Sequence, residues 1–304
     1  MASSMRGVPD PTLTLKPSPL NRLDLGGKHL VVIGGTDGLG RALARLSAAR
    51  GATVTVVGRT FRDEGVERLR FVKADLSSMK DARRLGETLP VESADAVVLT
   101  TGIIAAKQRE TTAEGVERDL AVSYLSRLAV LRGLTPRLGT GRPATSPPPR
   151  VFVMGFPGTG DAGDASDLNA EKSYDAMKVH LNTVAGNEAL VLHGARHDAR
   201  VRYFGLNPGL VRTNIRANYL GEGSLGHRLT ELFIGLVMPS AERYAERLVP
   251  VLFTPELDGR TGVMVGSKGQ AILPTEGFDA ARVDGFIAAS EALLERAVSG
   301  QLTR

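Results

Sequence analysis

The chain has 304 residues, 42% of them hydrophobic and 23% charged, with 38 Lys and Arg against 33 Asp and Glu, a net charge of +5. Such a composition excludes a disordered chain, and so small a surplus excludes the clustered basic face that a nucleic-acid binder needs. Cysteine is absent, which rules out disulfides, thiolate zinc sites and a cysteine nucleophile and fits a reducing compartment, so a cytoplasmic location is expected.

No apolar run approaches the ~18 residues of a membrane span, so no integral membrane segment is expected. Residues 1–28 hold Pro9, Pro11, Pro17 and Pro19 and read as a loose N-terminal extension. The prolines and Asp10 argue against an amphipathic presequence there. Ordered structure is expected over 29–304. The run 29–33 is a strand buried on both faces, and residues 41–46 take helical spacing, ended by Gly51. The β-branched run 53–57 is a second strand and 70–73 a weaker third. The crossover between Arg59 and Asp75 leaves room for one or two helical turns. A fourth strand spans 94–100. A long helix is predicted over 113–138, with Val116, Leu120, Tyr124, Leu128 and Leu131 on one stripe. Residues 139–149 read as a surface loop. Strands follow at 150–154, 201–206 and 263–265, and helices at 173–193 and 241–252. Strands alternating with helices give a single-domain α/β fold, a doubly wound, Rossmann-like parallel sheet.

The first strand runs into Gly34-Gly35-Thr36-Asp37-Gly38-Leu39-Gly40 and then a helix. Glycines allow close backbone approach to a pyrophosphate, and the helix start offers free N–H groups and a positive dipole end. The Gly-x-x-x-Gly-x-Gly spacing resembles the short-chain dehydrogenase/reductase family, and further marks occur in that family's order. Asp75-Leu76 follows the third strand and Thr100-Thr101-Gly102 the fourth. Tyr174-x-x-x-Lys178 opens the helix after the fifth, and Pro208-Gly209-Leu210-Val211-Arg212-Thr213 follows the sixth. The resemblance covers about 28–270 and looks closest to the retinol-dehydrogenase-like branch, on 112–117 and 121–125. It implies a nicotinamide cofactor held by Gly34, Thr36, Asp37, Gly38, Leu39, Gly40, Asp75, Leu76, Thr101, Gly102, Tyr174, Lys178, Pro208, Gly209, Val211 and Thr213. It also implies a homodimer or homotetramer, paired through the two long helices.

Where an acidic residue would bind the ribose 2′-hydroxyl, this chain has Arg59, which can pair a 2′-phosphate. The expected cofactor is therefore NADP(H), with Arg62 in support. The resemblance makes Tyr174 the acid/base for carbonyl/alcohol interconversion, with Lys178 lowering its pKa and holding the ribose. Four residues apart on a helix, the two would share a face. The family's serine after the fifth strand falls on Gly155 or Phe156, neither with a hydroxyl. Thr159, a backbone N–H near Gly155 or the substrate itself are its candidate replacements. The family's helix asparagine is replaced by Ser123, a possible relay participant. A redox-neutral or non-catalytic nucleotide-binding protein is the alternative.

Region 210–239 is the family's substrate lid. Its apolar stripe (Leu225, Leu229, Leu232, Phe233, Leu236) suggests a hydrophobic small-molecule substrate, or equally packing on the core or a partner subunit. Asp161, Asp164 and Asp167 read as a solvated acidic loop. His193 and His197 are four apart, but Gly194 and the residues around them read as a helix end. No metal centre is expected.

Overall fold

Side chains alternate along β1 (His29–Ile33), so Leu30 and Val32 face one side of the sheet and Val31 and Ile33 the other. All four are buried, which requires helices on both faces. The computed structural model, which describes residues 7–209 and 240–302, supplies them. The other strands are β2 (Thr53–Gly58), β3 (Leu69–Lys73), β4 (Ala96–Leu99), β5 (Arg150–Met154), β6 (Arg202–Leu206), β7 (Val263–Val265) and β8 (Ala271–Ile272). They form one sheet in the order β3-β2-β1-β4-β5-β6-β7-β8, with β1 to β7 parallel and β8 antiparallel to β7. The chain builds outward from β1 to β3 and then returns to lay β4 against β1. The C-terminal ends of β1 and β4 are thus the topological switch point, where open α/β sheets bind ligands.

The helices are α1 (Gly38–Ala49), α2 (Met79–Thr88), α3 (Arg118–Leu120), α4 (Ser126–Leu134), α5 (Ala176–His197), α6 (Ala241–Leu252) and α7 (Ala280–Val298). α1 and α6 cover the Leu30/Val32 face, and α2, α4, α5 and α7 the Val31/Ile33 face. Among the described residues no helix is long and apolar enough to cross a membrane.

Four expectations change. Residues 113–117 are not helical: Gly115, at φ +80°, turns the chain so that Thr112 N donates to Val116 O. The helix therefore starts at Arg118, and Ala121–Leu125 forms a π-helical turn before α4. The crossover from β2 to β3 holds no helical turn. Buried Asp63 instead ties it to α1 through Arg41 (2.9 and 2.8 Å) and Arg45 (2.7 Å), and Phe61 stacks on Phe71. The described part of the N-terminal extension is not loose. Asp10 N donates to Ala271 O and Leu273 N to Val8 O, at 3.0 and 2.8 Å, while Leu13 and Leu25 are buried. Finally, α4 and α5 are enclosed by α2 and α7 of their own chain, with Tyr124 donating to Ser290 of α7 at 2.7 Å. The face expected to pair between subunits is already covered.

Candidate functional site

The glycines at the switch point are dictated by close approach. A Cβ on Gly40 would lie 2.4 Å from Gly34 O and from Thr100 Oγ1, and one on Gly34 would lie 2.6 Å from Thr101 N. Gly34 also has φ +89°. The start of α1 is thereby pressed against the ends of β1 and β4. Asp37 occupies the N-cap but makes no side-chain cap bond, whereas Ser78, Asp175, Ser240 and Asp279 cap α2, α5, α6 and α7. The first-turn N–H groups of α1 are left for an anion. Thr36 lies against the end of β2, where a Cβ on Gly58 would meet its Oγ1 at 2.5 Å. Gly38 (φ +52°) continues the turn, and Leu39 packs into the core beneath. These residues fit a dinucleotide phosphate.

At the end of β2, Arg59 is exposed; against the upward push of burial, hydrogen bonds from Ser77 hold the Asp75 carboxyl below its usual range, with a smaller contribution from the Arg59 charge. Arg62 pairs with Asp37 at 2.9 Å. Leu76 is buried. Gly209 N donates to Asn207 Oδ1 at 2.9 Å, with Pro208 buried between them. Val211, Thr213 and the lid region 210–239 lie outside the described residues.

The segment that leaves β4 carries the other half. Ile103 N donates to Ser123 Oγ at 2.9 Å, and Ser123 Oγ donates to Asp119 Oδ1 at 2.5 Å. Asp119 Oδ2 accepts from Ala105 N at 3.1 Å and lies 2.8 Å from His180 Nδ1. The Tyr174 hydroxyl donates to Ala106 O at 2.5 Å. Residues 101–106 thus bring together Gly34, Ser123, Asp119, His180 and Tyr174. Burial pushes the Tyr174 phenol up to about 12, and Glu117, Asp119 and Glu110 push the same way against Arg109.

Lys178 does not join them as expected. Asp175 is the N-cap of α5, so Tyr174 stands before the helix and the four-residue spacing sets no common face. Lys178 is exposed, and its charge acts on Asp164. Nor does Thr159 stand in for the family serine, because its hydroxyl donates to Phe156 O at 2.9 Å.

Sequence reasoning missed Arg127. Its guanidinium, 3% exposed, donates to Thr101 O, Met154 O and Asn187 Oδ1, tying the ends of β4 and β5 together behind Gly155. Burial lowers its pKa to about 9, with Asp119 opposing. Asp119, Ser123 and Arg127 recur at four-residue spacing, a polar stripe beside the predicted apolar one, and that was the available signal.

Buried Glu117 accepts from Leu120 N at 2.7 Å. Burial raises its carboxyl from 4.5 to about 7; that bond opposes and Asp119 assists. The folded state therefore holds a proton that the unfolded chain has already lost between those values. Stability from this group is fully present below pH ~4.5 and falls as pH rises through about 7, by about 3 kcal/mol in all. Glu117→Gln is expected to melt higher than the parent at pH 8 and with it at pH 5. Parallel melting-temperature profiles across that range would contradict the assignment.

The comparisons agree with this geometry. The short chain dehydrogenase family model matches residues 28–144. An uncharacterized oxidoreductase of Saccharomyces cerevisiae is 44% identical over 96% of this chain and 96% of its own length. Polyprenol dehydrogenase of Mus musculus is 28% identical over 81% of this chain and 77% of its own. The crystal structure of a short chain dehydrogenase family protein from Francisella tularensis superposes with a TM-score of 0.59 at 17% identity, covering 78% of this chain and 95% of that one. With a close-packed glycine turn at the switch point and a near full-length relative among the oxidoreductases, the chain belongs to the short-chain dehydrogenase/reductase family.

Proposed function

We propose that the protein is an NADP(H)-dependent oxidoreductase that interconverts a carbonyl and an alcohol on a hydrophobic small molecule. One observation carries the reading. A single short segment after β4 has Thr101 N against Gly34 of the cradle and Ala106 O on the Tyr174 hydroxyl. Phosphate cradle and phenol are held by one piece of backbone. The bound nicotinamide would supply or take the hydride, and Tyr174 the proton. Gly34, Thr36, Asp37, Gly38, Leu39, Gly40, Thr101 and Gly102 would hold the phosphates and inner ribose. Asp75 and Leu76 would flank the adenine, and Pro208 and Gly209 the nicotinamide; Lys178, which is exposed, would have to swing in to reach the ribose. Ser123 would act through Asp119. The similarity to polyprenol dehydrogenase, named for an apolar alcohol, supports the substrate class. The absence of cysteine supports the cytoplasm. Any homodimer or homotetramer would form through a face other than α4 and α5.

The NADP(H) preference rests on Arg59. Asp63 commits Arg41 and Arg45, and Asp37 commits Arg62, which leaves Arg59 to meet a 2′-phosphate. A charge-assisted hydrogen bond is worth ~1.5–3 kcal/mol. Arg59→Ala is therefore expected to weaken NADPH binding about 10- to 100-fold in a fluorescence titration and to leave NADH binding unchanged. Equal losses would remove the preference, and binding of neither cofactor to the parent would remove the enzyme reading.

A second reading, a nucleotide-binding protein without redox turnover, is favoured by the Tyr174 proton already given to Ala106 O and by the missing hydroxyl at Gly155 and Phe156. NADPH consumption with a panel of apolar ketones and aldehydes separates the two.

A further inference from the structure

At the far end of α5 from Lys178, three groups converge where that helix meets α7. The helix does not end at Gly194 but continues through His197, so His193 and His197 stand one turn apart with ring centres separated by 4.3 Å. Asp284 of α7 faces both. Its Oδ1 lies 3.0 Å from His193 Nδ1 and 3.5 Å from His197 Nε2, and a ligand atom from each of the three lies within 4.8 Å of the others. In a tetrahedral site with metal–nitrogen bonds of ~2.0–2.1 Å, neighbouring ligand atoms are roughly 3.3–3.4 Å apart. The two carboxylate–imidazole separations straddle that value.

We propose that His193, His197 and Asp284 form a binding site for a divalent transition-metal ion of the zinc class, with the fourth position open to water. Two imidazoles and one carboxylate suit zinc, cobalt or nickel rather than the all-oxygen preference of calcium or magnesium. The donors come from two helices, so the ion would clamp α7 onto α5, the helix that also carries Lys178 and Asn187. Asp284 is shared at present: Arg196 reaches the same Oδ1 at 2.5 Å, and the Arg132 charge acts on His193. The ion would displace the guanidinium of Arg196, which is one-third exposed. These nearby cations oppose the ion and lower its affinity.

The test uses the full chain without a polyhistidine tag. Zinc chloride titrated calorimetrically into the protein is expected to bind one ion per chain and to raise the melting temperature. His193→Gln and His197→Gln should each weaken that binding at least ~10-fold, no less than the loss of an outer-shell partner does. Arg196→Gln, a surface substitution that frees the carboxylate, should tighten it. Cobalt(II) added to the unaltered protein should show the intense visible bands of a tetrahedral ion, a readout independent of any variant's folding. Zinc binding equal in the parent and both histidine variants, or cobalt spectra unchanged from the free aqueous ion, would overturn the proposal.

Discussion

Tyr174→Phe is expected to lower NADPH-dependent carbonyl reduction by about 10²–10⁴-fold, the usual contribution of a placed acid or base, with NADPH affinity nearly unchanged. The phenol sits at about 12, lifted first by burial and then by the carboxylates around it. It is therefore protonated across the physiological range, which suits giving a proton to a carbonyl. Alcohol oxidation needs the phenolate instead, so its rate should climb about tenfold per pH unit between pH 7 and pH 9, while reduction stays flat. Stopped assays in both directions across that interval would show it. Undiminished turnover in Tyr174→Phe would remove Tyr174 from the chemistry, and a flat oxidation profile would mean that bound substrate or cofactor resets its pKa.

Arg127→Met is expected to destabilise the fold by about 3–5 kcal/mol, read as the urea midpoint at constant slope. Methionine fills much of the volume but leaves Thr101 O, Met154 O and Asn187 Oδ1 without their donor. It also removes the positive charge opposite buried Asp119. Against a total stability of ~5–15 kcal/mol such a loss is large. Arg127→Lys should recover only part of it, because one ammonium cannot span two strand ends and an amide. A midpoint for Arg127→Met that matches the parent would mean that water satisfies those oxygens.

Much of the sheet was legible because its strands are short apolar runs bounded by turn residues. β1, β5, β7 and α6 have the limits that hydrophobic runs and caps predict. What escaped depends on partners distant in sequence. β8 is two residues long and exists through its pairing with β7 and the N-terminal segment. The π-helical turn at Ala121–Leu125 adds a residue to its turn, which a 3.6-residue period cannot register. At the switch point, Gly34 and Gly40 stand out from local sequence, because close approach needs a residue without a side chain at those places. The Tyr174–Lys178 relation was misjudged because Asp175, three residues before Lys178, is a capping residue that starts the helix after the tyrosine. Ser123 stood out only through the resemblance, whereas Asp119 and Arg127 were visible as letters, but polar residues turned inward read as polar surface until the fold shows which side is core.

The covering of α4 and α5 by α7 has a consequence for how this half of the protein comes apart. Phe286 meets the Tyr124 ring edge-on at 5.8 Å, and Leu293, Leu294 and Ala297 continue the seal from within the same chain. A seal made by a second subunit is lost on dilution, since it answers to mass action. One made by the chain's own later segment answers to loop closure, which dilution does not touch. The unfolding midpoint of this half should not drift with protein concentration. A proteolytic nick just before Ala280 would instead convert the contact into a bimolecular one, and Ser123, Arg127 and the floor of the proposed site would then depend on a fragment free to diffuse away.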